Sequence, residues 1–289
     1  MLEECHLCPR QCWVNRLAGE KGKCHITDQV MVSSYGPHFG EEAPLVGMHG
    51  SGTIFFTYCN LRCLFCQNYT ISQLGDGNRV SRNALADMML SLQEKGCHNI
   101  NVVSPTHVVP YILDALELAA SKGLNIPLVY NTGGYDSLET LKLLDGVVDI
   151  YMPDMKYSDE KTAEQLSGIK DYPEANRAAI KEMYRQVGDL QMNDQGIAQR
   201  GLLVRHLVLP NRLAGTEETL SFLAREVSAH TYLNIMAQYR PSYKASTVPL
   251  ISRPLAREEF NEAIALARRY GLHRLDKDYF PLPVRFILR

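Results

Sequence analysis

An α/β fold of parallel strands is predicted by two features of this sequence. From residue 51 onward, short apolar runs with strand character alternate with stretches of helical periodicity. Before that point, residues 1–48 are loop-rich and hold four cysteines, the single Trp13 and the turn residues Gly19, Gly22, Gly36, Pro37, Gly40 and Pro44. Strand–helix alternation at this spacing gives parallel strands joined by right-handed crossovers. Six such units predict an incomplete, partial (β/α)6 barrel with an N-terminal cysteine-rich metal-binding module. The corresponding domains are 1–48 and 49–289, the second ending in a C-terminal extension. A doubly wound open sheet is the competing architecture, and periodicity alone does not separate the two.

Strands are predicted at 53–58, 99–103, 127–131, 148–153, 201–209 and 232–237, each short, apolar and bounded by Gly, Pro or Asn. Helices fall between them. Ser81 is a natural N-cap for 82–95, which stops at Gly96. Residues 108–121 end before Gly123. Asp136 or Ser137 caps 138–144. Residues 160–167 and 174–187 form a pair broken around Pro173. Thr216 caps 217–228, with Glu217 and Glu218 in its first turn. Residues 256–269 end at Gly271. The tail, 273–289, is partly apolar over 280–287 and is expected to pack back on the body.

The chain has 289 residues, 45% of them apolar, which supplies a sizeable core. Its net charge of −2 and pI near 6.5 imply no strong pull toward nucleic acid or an anionic membrane. Met1 to His6 show no basic n-region leading into an apolar stretch, so no signal peptide is expected. No window holds the roughly 18 apolar residues of a membrane span. A cytoplasmic protein is the expectation. There, clustered thiols mean metal or catalysis more often than disulfides.

Seven of eight cysteines fall in two groups. Cys59-x3-Cys63-x2-Cys66 follows directly on the first strand. Loops at the C-terminal edge of parallel strands are where function collects. Three thiolates this close suit a [4Fe-4S] cluster with one iron left open for chemistry. Zinc more often takes four ligands in C-x2-C pairs. The second group, Cys5, Cys8, Cys12 and Cys24, is a complete four-thiolate set for a zinc ion or an auxiliary iron–sulfur centre. His6 and His25 adjoin it. Cys97 stands alone as a small buried apolar residue.

The cysteine module, the Cys59–Cys66 loop followed by Gln67-Asn68, and the later strand ends together resemble a radical S-adenosylmethionine (SAM) enzyme of the pyruvate formate-lyase activating enzyme-like group. The resemblance implies an oxidoreductase whose iron cluster binds SAM and, once reduced, cleaves it to methionine and a 5′-deoxyadenosyl radical that takes hydrogen from a substrate. Its implied partners are SAM, a one-electron reductant such as flavodoxin or ferredoxin, and a protein substrate, for instance a glycyl radical enzyme. Another protein, a peptide or a small molecule is the alternative substrate. An electron-transfer or structural metal protein is the rival of a different class.

The resemblance also assigns roles at strand ends. Many relatives carry a Gly-Gly-Glu turn for the SAM amino group where this chain has Ser104-Pro105-Thr106-His107. Ser104 or Thr106 hydroxyls then substitute, or the segment is a helix N-cap with Pro105 in the first turn. Asn131 and Thr132, before Gly133-Gly134, meet the ribose or methionine part of SAM, or form an ordinary turn. Asp154 and Lys156 share a face of an extended segment and resemble a SAM-contacting pair. Arg205, inside an apolar strand, is placed near the SAM carboxylate, whereas its neighbour His206 reads as a satisfied core histidine. Tyr58 and Phe65 give apolar cover or simple packing. Gln238 and Tyr239 reach toward the substrate. Glu41 and Glu42 either face the site or form a solvated acidic pair.

Overall fold

The computed structural model describes residues 1–276; the predicted packing of 280–287 lies outside the described residues. Six strands carry the parallel framework: β2 (Ser51–Phe56), β4 (Ile100–Val103), β5 (Leu128–Thr132), β6 (Ile150–Pro153), β8 (Ala198–Leu207) and β9 (Tyr232–Met236). Each pairs in parallel with the next in chain order. Among the described residues these parallel strands show no reversal of order of the kind a doubly wound sheet has.

Three further strands were hidden in the sequence. β1 (Val30–His38) runs antiparallel along β2, and β3 (Asn78–Val80) pairs with the start of β1. The β1 segment reads as loop because of Gly36 and Pro37. Pro37 is tolerated because it sits opposite Gly52 where β1 has no β3 partner, so no ladder bond is lost on the outer edge. The short β7 (Gln191–Met192) pairs antiparallel with β8.

The helices cover the sheet as their spacing dictates. α1 (Ala43–Val46) and α2 (Tyr69–Ser72) are single turns. α3 (Arg82–Glu94) is capped by Ser81, whose hydroxyl accepts from Ala84 N–H, and it buries Leu85, Met89 and Leu92 along one stripe. Fully burying one such side chain contributes about 1.5–3 kcal/mol. α4 (Val109–Ser121) starts after Val108 with Pro110 in its first turn, so the predicted cap at Ser104–Thr106 is not where this helix begins. Ser137 caps α5 (Leu138–Leu143), and Asp136 points inward. α6 (Glu160–Ser167) and α7 (Tyr172–Val187) are the predicted broken pair, with Pro173 in the first turn of α7. Gly215, at φ 61°, precedes α8 (Thr216–Phe222), which continues as one π-helical turn to Val227. Thr216 is therefore the first helical residue and not the cap. α9 (Arg257–Arg269) packs Phe260, Ala263, Ile264 and Ala267 inward. The start of the predicted tail adds to β9, with Leu233 N–H donating to Arg274 O at 2.9 Å.

Two histidines are locked inside. His206 sits between Met155 O (2.8 Å) and Thr216 Oγ1 (3.0 Å), so it is the satisfied core residue expected. His107 bonds Thr57 O at 3.0 Å. Burial lowers both rings to about 4 from an ordinary 6.5. The unfolded chain therefore binds more protons than the fold as pH drops from 6.5 toward 4, and stability present above pH 6.5 is lost across that window. The loss at pH 5 relative to pH 7 is about 2 kcal/mol per ring. Urea midpoints at the two pH values should differ accordingly, and His206→Gln should shrink the difference. Equal midpoints would contradict this.

Candidate active site

The C-terminal ends of β2, β4, β5, β6 and β8 surround one cavity of about 360 Å³. Cys59, Cys63 and Cys66 open into it, together with Ser104, Asn131, Thr132, Asp154, Lys156 and Arg205. The residues predicted for the three-cysteine cluster and for SAM thus meet at one place, with the exception of Thr106.

The cysteine loop is held on both flanks. Tyr58 turns the chain out of β2 at φ 68°. Leu64 N–H donates to Leu166 O at 2.8 Å, and Lys244 N–H donates to Leu64 O at 2.8 Å. Phe65 is buried against Tyr157 and Tyr239, with ring centroids 6.3 and 5.8 Å away. Every sulfur has a polar neighbour. Leu61 N–H points at Cys59 Sγ (3.4 Å), the Ser167 hydroxyl at Cys63 Sγ (3.0 Å), and Ser72 Oγ lies 3.0 Å from Cys66 Sγ. Burial pushes the Cys59 thiol up to about 12 and raises Cys63 as well. Coordination to metal is what stabilises thiolates in such a place. Among the described residues, no three His, Cys, Asp or Glu side chains converge on a single-ion point. An iron–sulfur cluster instead takes each thiolate on a separate iron, so the donor set fits a cluster.

A half-buried charge network lines the same cavity. Asp154 bridges Lys156 Nζ (2.6 Å) and Arg205 Nε (2.9 Å). Arg205 also donates to Asn131 Oδ1 at 2.6 Å and stands 3.8 Å from Glu41. Burial alone would raise the Asp154 carboxyl, but the two cations outweigh it and the pKa falls. Burial likewise opposes the charges of Lys156 and Arg205, and Asp154 reverses that, raising both. The network therefore stays ionised.

A second layer holds the first in place. Thr106 is buried and does not line the cavity; its hydroxyl donates to Asp136 Oδ1 at 2.7 Å and meets Thr132 Oγ1 at 3.1 Å. Thr132 donates to the other Asp136 oxygen at 2.7 Å, and Tyr130 OH to Oδ1 at 3.0 Å. Asp136 is legible in the sequence only as a candidate cap; Tyr130 and Thr132 are near it on β5, but Thr106 reaches it from the end of β4, 30 residues earlier. Gly134, at φ 75°, lies where a Cβ would stand 2.2 Å from Asp154 O, so the turn after β5 needs glycine there.

A model of the radical SAM superfamily matches residues 53–189, the stretch that carries the cysteine loop and the first four parallel strands. The uncharacterized protein MJ0674 of Methanocaldococcus jannaschii is 34% identical over 281 residues, covering 94% of this chain and 76% of its own. This chain belongs to the radical SAM superfamily. A second protein of that organism, MJ0808, is 26% identical and covers 93% of this chain. Among solved structures, the maturase HydG aligns with a TM-score of 0.53 at 14% identity, over 77% of this chain and 50% of its own. A radical SAM methyltransferase from Sphaerobacter thermophilus aligns with a TM-score of 0.52 at 15% identity, over 76% of this chain and 64% of its own. The chain thus spans half to about two thirds of those solved chains, and the likeness to them is one of fold. Superfamily membership implies a [4Fe-4S] cluster and SAM.

The N-terminal cysteines of this superfamily member sit beside the Cys59–Cys66 loop. Arg10 Nε donates to Asn60 O (2.6 Å), and Arg62 Nη2 to Lys23 O (2.6 Å). Leu7 O accepts from Ser137 (3.1 Å) and Thr140 (2.8 Å). Burial pushes Cys8 up to about 12 and raises Cys24, and the neighbouring thiols Cys5, Cys12 and Cys24 add to these effects. Cys24 therefore lies within electrostatic reach of each of the other three thiols.

Gln238 lines the cavity, whereas Tyr239 is buried with its hydroxyl on Ile251 O at 2.6 Å. Of the acidic pair, Glu41 lines the cavity and Glu42 is only 4% exposed. Two adjacent glutamates in a turn carry no sequence mark of burial. No helix among the described residues is long and apolar enough to cross a membrane.

Proposed function

We propose that Cys59, Cys63 and Cys66 hold the [4Fe-4S] cluster and that Ser104, Asn131, Asp154, Lys156 and Arg205 line the SAM site. The observation that carries this is the convergence of all eight residues on one cavity at the strand ends. With its cluster and SAM bound, the enzyme supplies a 5′-deoxyadenosyl radical that abstracts hydrogen from a substrate. The protein's own contribution is orientation and exclusion of water. Asp154 holds Lys156 and Arg205 ionised at the wall, Asn131 fixes the Arg205 fork, and Phe65 seals the loop against the aromatic core. The hydroxyl and amide hydrogens on the three sulfurs favour the thiolate state and tune the centre.

The finer reading is a partial (β/α)6 barrel of the activating-enzyme-like group, supported by the unbroken chain order of its parallel strands. The N-terminal segment ahead of β1 then carries zinc or an auxiliary iron–sulfur centre on Cys5, Cys8, Cys12 and Cys24, while residues 30–38 of the predicted 1–48 module belong to the main sheet, and flavodoxin or ferredoxin supplies electrons. Activation of a glycyl radical enzyme is one outcome; modification of a peptide or a small molecule is the other. One fold neighbour, SuiB, is described as bound to a precursor peptide, while others are a maturase and a methyltransferase, so fold does not choose the substrate.

Equilibrium dialysis of SAM against the anaerobically reconstituted protein tests the site. Binding that weakens at least about tenfold in Asn131→Ala, where the Arg205 fork is left unfixed, supports it. No SAM binding by protein carrying a verified four-iron cluster would favour an electron-transfer or structural role.

A further inference from the structure

Behind Arg205 the cavity continues into a second pocket of about 240 Å³, lined by Glu41, Glu42, Asn234, Gln238 and Asp276. The two share Gly40, Glu41, Arg205 and Gln238, so a molecule reaching into the second pocket remains next to the cysteine loop. We propose that this pocket binds the ammonium or guanidinium group of the substrate, with Glu42 as its principal anchor and Glu41 and Asp276 beside it.

Two carboxylate oxygens in the pocket lack partners. Glu42 is 4% exposed; its Oε1 accepts from Asn234 Nδ2 at 2.8 Å, and its Oε2 is buried with no hydrogen-bond partner among the described residues. Asp276 Oδ1 accepts from Ala43 N–H (2.9 Å) and Tyr232 OH (3.0 Å), and its Oδ2 is likewise buried without a partner. An acceptor buried this way costs about 1–3 kcal/mol, and more when charged.

The cation already present is committed elsewhere. Arg205 lines the pocket, but its Nε is on Asp154 (2.9 Å) and its Nη2 on Asn131 (2.6 Å), while Nη1 stands 3.8 Å from Glu41. His38 Nδ1 stands 3.4 Å from Glu41, and its ring meets Phe55 edge-on with centroids 5.7 Å apart. Three acids thus share one guanidinium that Asp154 holds, and Glu42 and Asp276 have no close ion-pair partner of their own among the described residues. An anion or a neutral group entering here leaves the imbalance in place. An ammonium with three donors, or a guanidinium with five, offers hydrogen bonds to the pocket's carboxylates and offsets their charge together.

The placement beside the radical-generating site rests on the proposed function, but cation binding does not require SAM cleavage. The test is calorimetric titration of the full-length protein with n-butylammonium, with its neutral isostere n-butanol, and with N-acetyl-lysine methylamide, which carries the same amine on a peptide unit. Both cations should bind and n-butanol should not. Glu42→Gln should weaken the cations at least about tenfold. Asp276→Asn, which keeps the Oδ1 bonds, serves as the second variant should the first fail to fold. Glu117→Gln, on an exposed residue paired with Arg82, should leave binding unchanged. A preference for n-butylammonium points to a small amine, and a preference for the lysine derivative points to a lysine side chain. Absence of cation binding, equal binding of n-butanol, or affinity unchanged in Glu42→Gln and Asp276→Asn overturns the proposal. Cation binding by a protein that never cleaves SAM would retain the subsite and remove the radical SAM roles given to the cavity.

Discussion

Cys63→Ala should lose about four irons per chain from the anaerobically reconstituted protein and all reductive SAM cleavage. The same result is expected for Cys59→Ala and Cys66→Ala. All three sulfurs face one cavity, each beside a hydrogen-bond donor or hydroxyl. Removing any one leaves a cluster with a second open iron in a site built for one. Cys97→Ala is the matched control, since that buried thiol lies apart from both cysteine groups and does not line the cavity. Its iron content should be unchanged. Full iron and full cleavage in all three loop variants would remove the assignment.

Asp154→Ala should be among the most destabilising single changes in the chain. Asp154 is the anion between two half-buried cations, 2.6 Å from Lys156 Nζ and 2.9 Å from Arg205 Nε. Its removal leaves Lys156 without its carboxylate and Arg205 with Glu41 alone at 3.8 Å; the three side chains are 13–16% exposed, so the cost approaches but does not exceed the roughly 3–5 kcal/mol of a fully buried pair. The urea midpoint should fall by that amount divided by the usual urea slope. Because its folded pKa is depressed, the stabilisation is complete above the ordinary carboxylate range and is lost only as pH falls through the lower folded value. Asp154→Asn should therefore behave near neutral pH much as the alanine variant does, with a smaller cost from the retained hydrogen bonds. A loss below 1 kcal/mol in both would show that water reaches the network freely.

The parallel strands and the cysteine loop were readable because their signals are local. Val, Ile and Leu runs mark strands, Ser81 and Ser137 mark helix starts, and a tight cysteine spacing marks a ligand set. Strand-end position then brought Asp154, Lys156 and Arg205 to one wall, since a parallel sheet delivers successive C-terminal ends to one edge. What stayed hidden depends on partners far along the chain. Thr106 turns from the cavity to Asp136, Thr216 serves His206 where a cap was expected, and Glu42 is buried by Asn234 from β9, 192 residues away. β1 was masked by Gly36 and Pro37, whose turn character the neighbouring β2 overrides.

The most direct test follows 5′-deoxyadenosine by mass spectrometry after dithionite and SAM are added to the anaerobically reconstituted protein. Its formation by the wild type and its absence in Cys63→Ala is the predicted result. No product from wild-type protein with a verified, reducible four-iron cluster and bound SAM, with and without an amine-bearing substrate probe, would contradict the account.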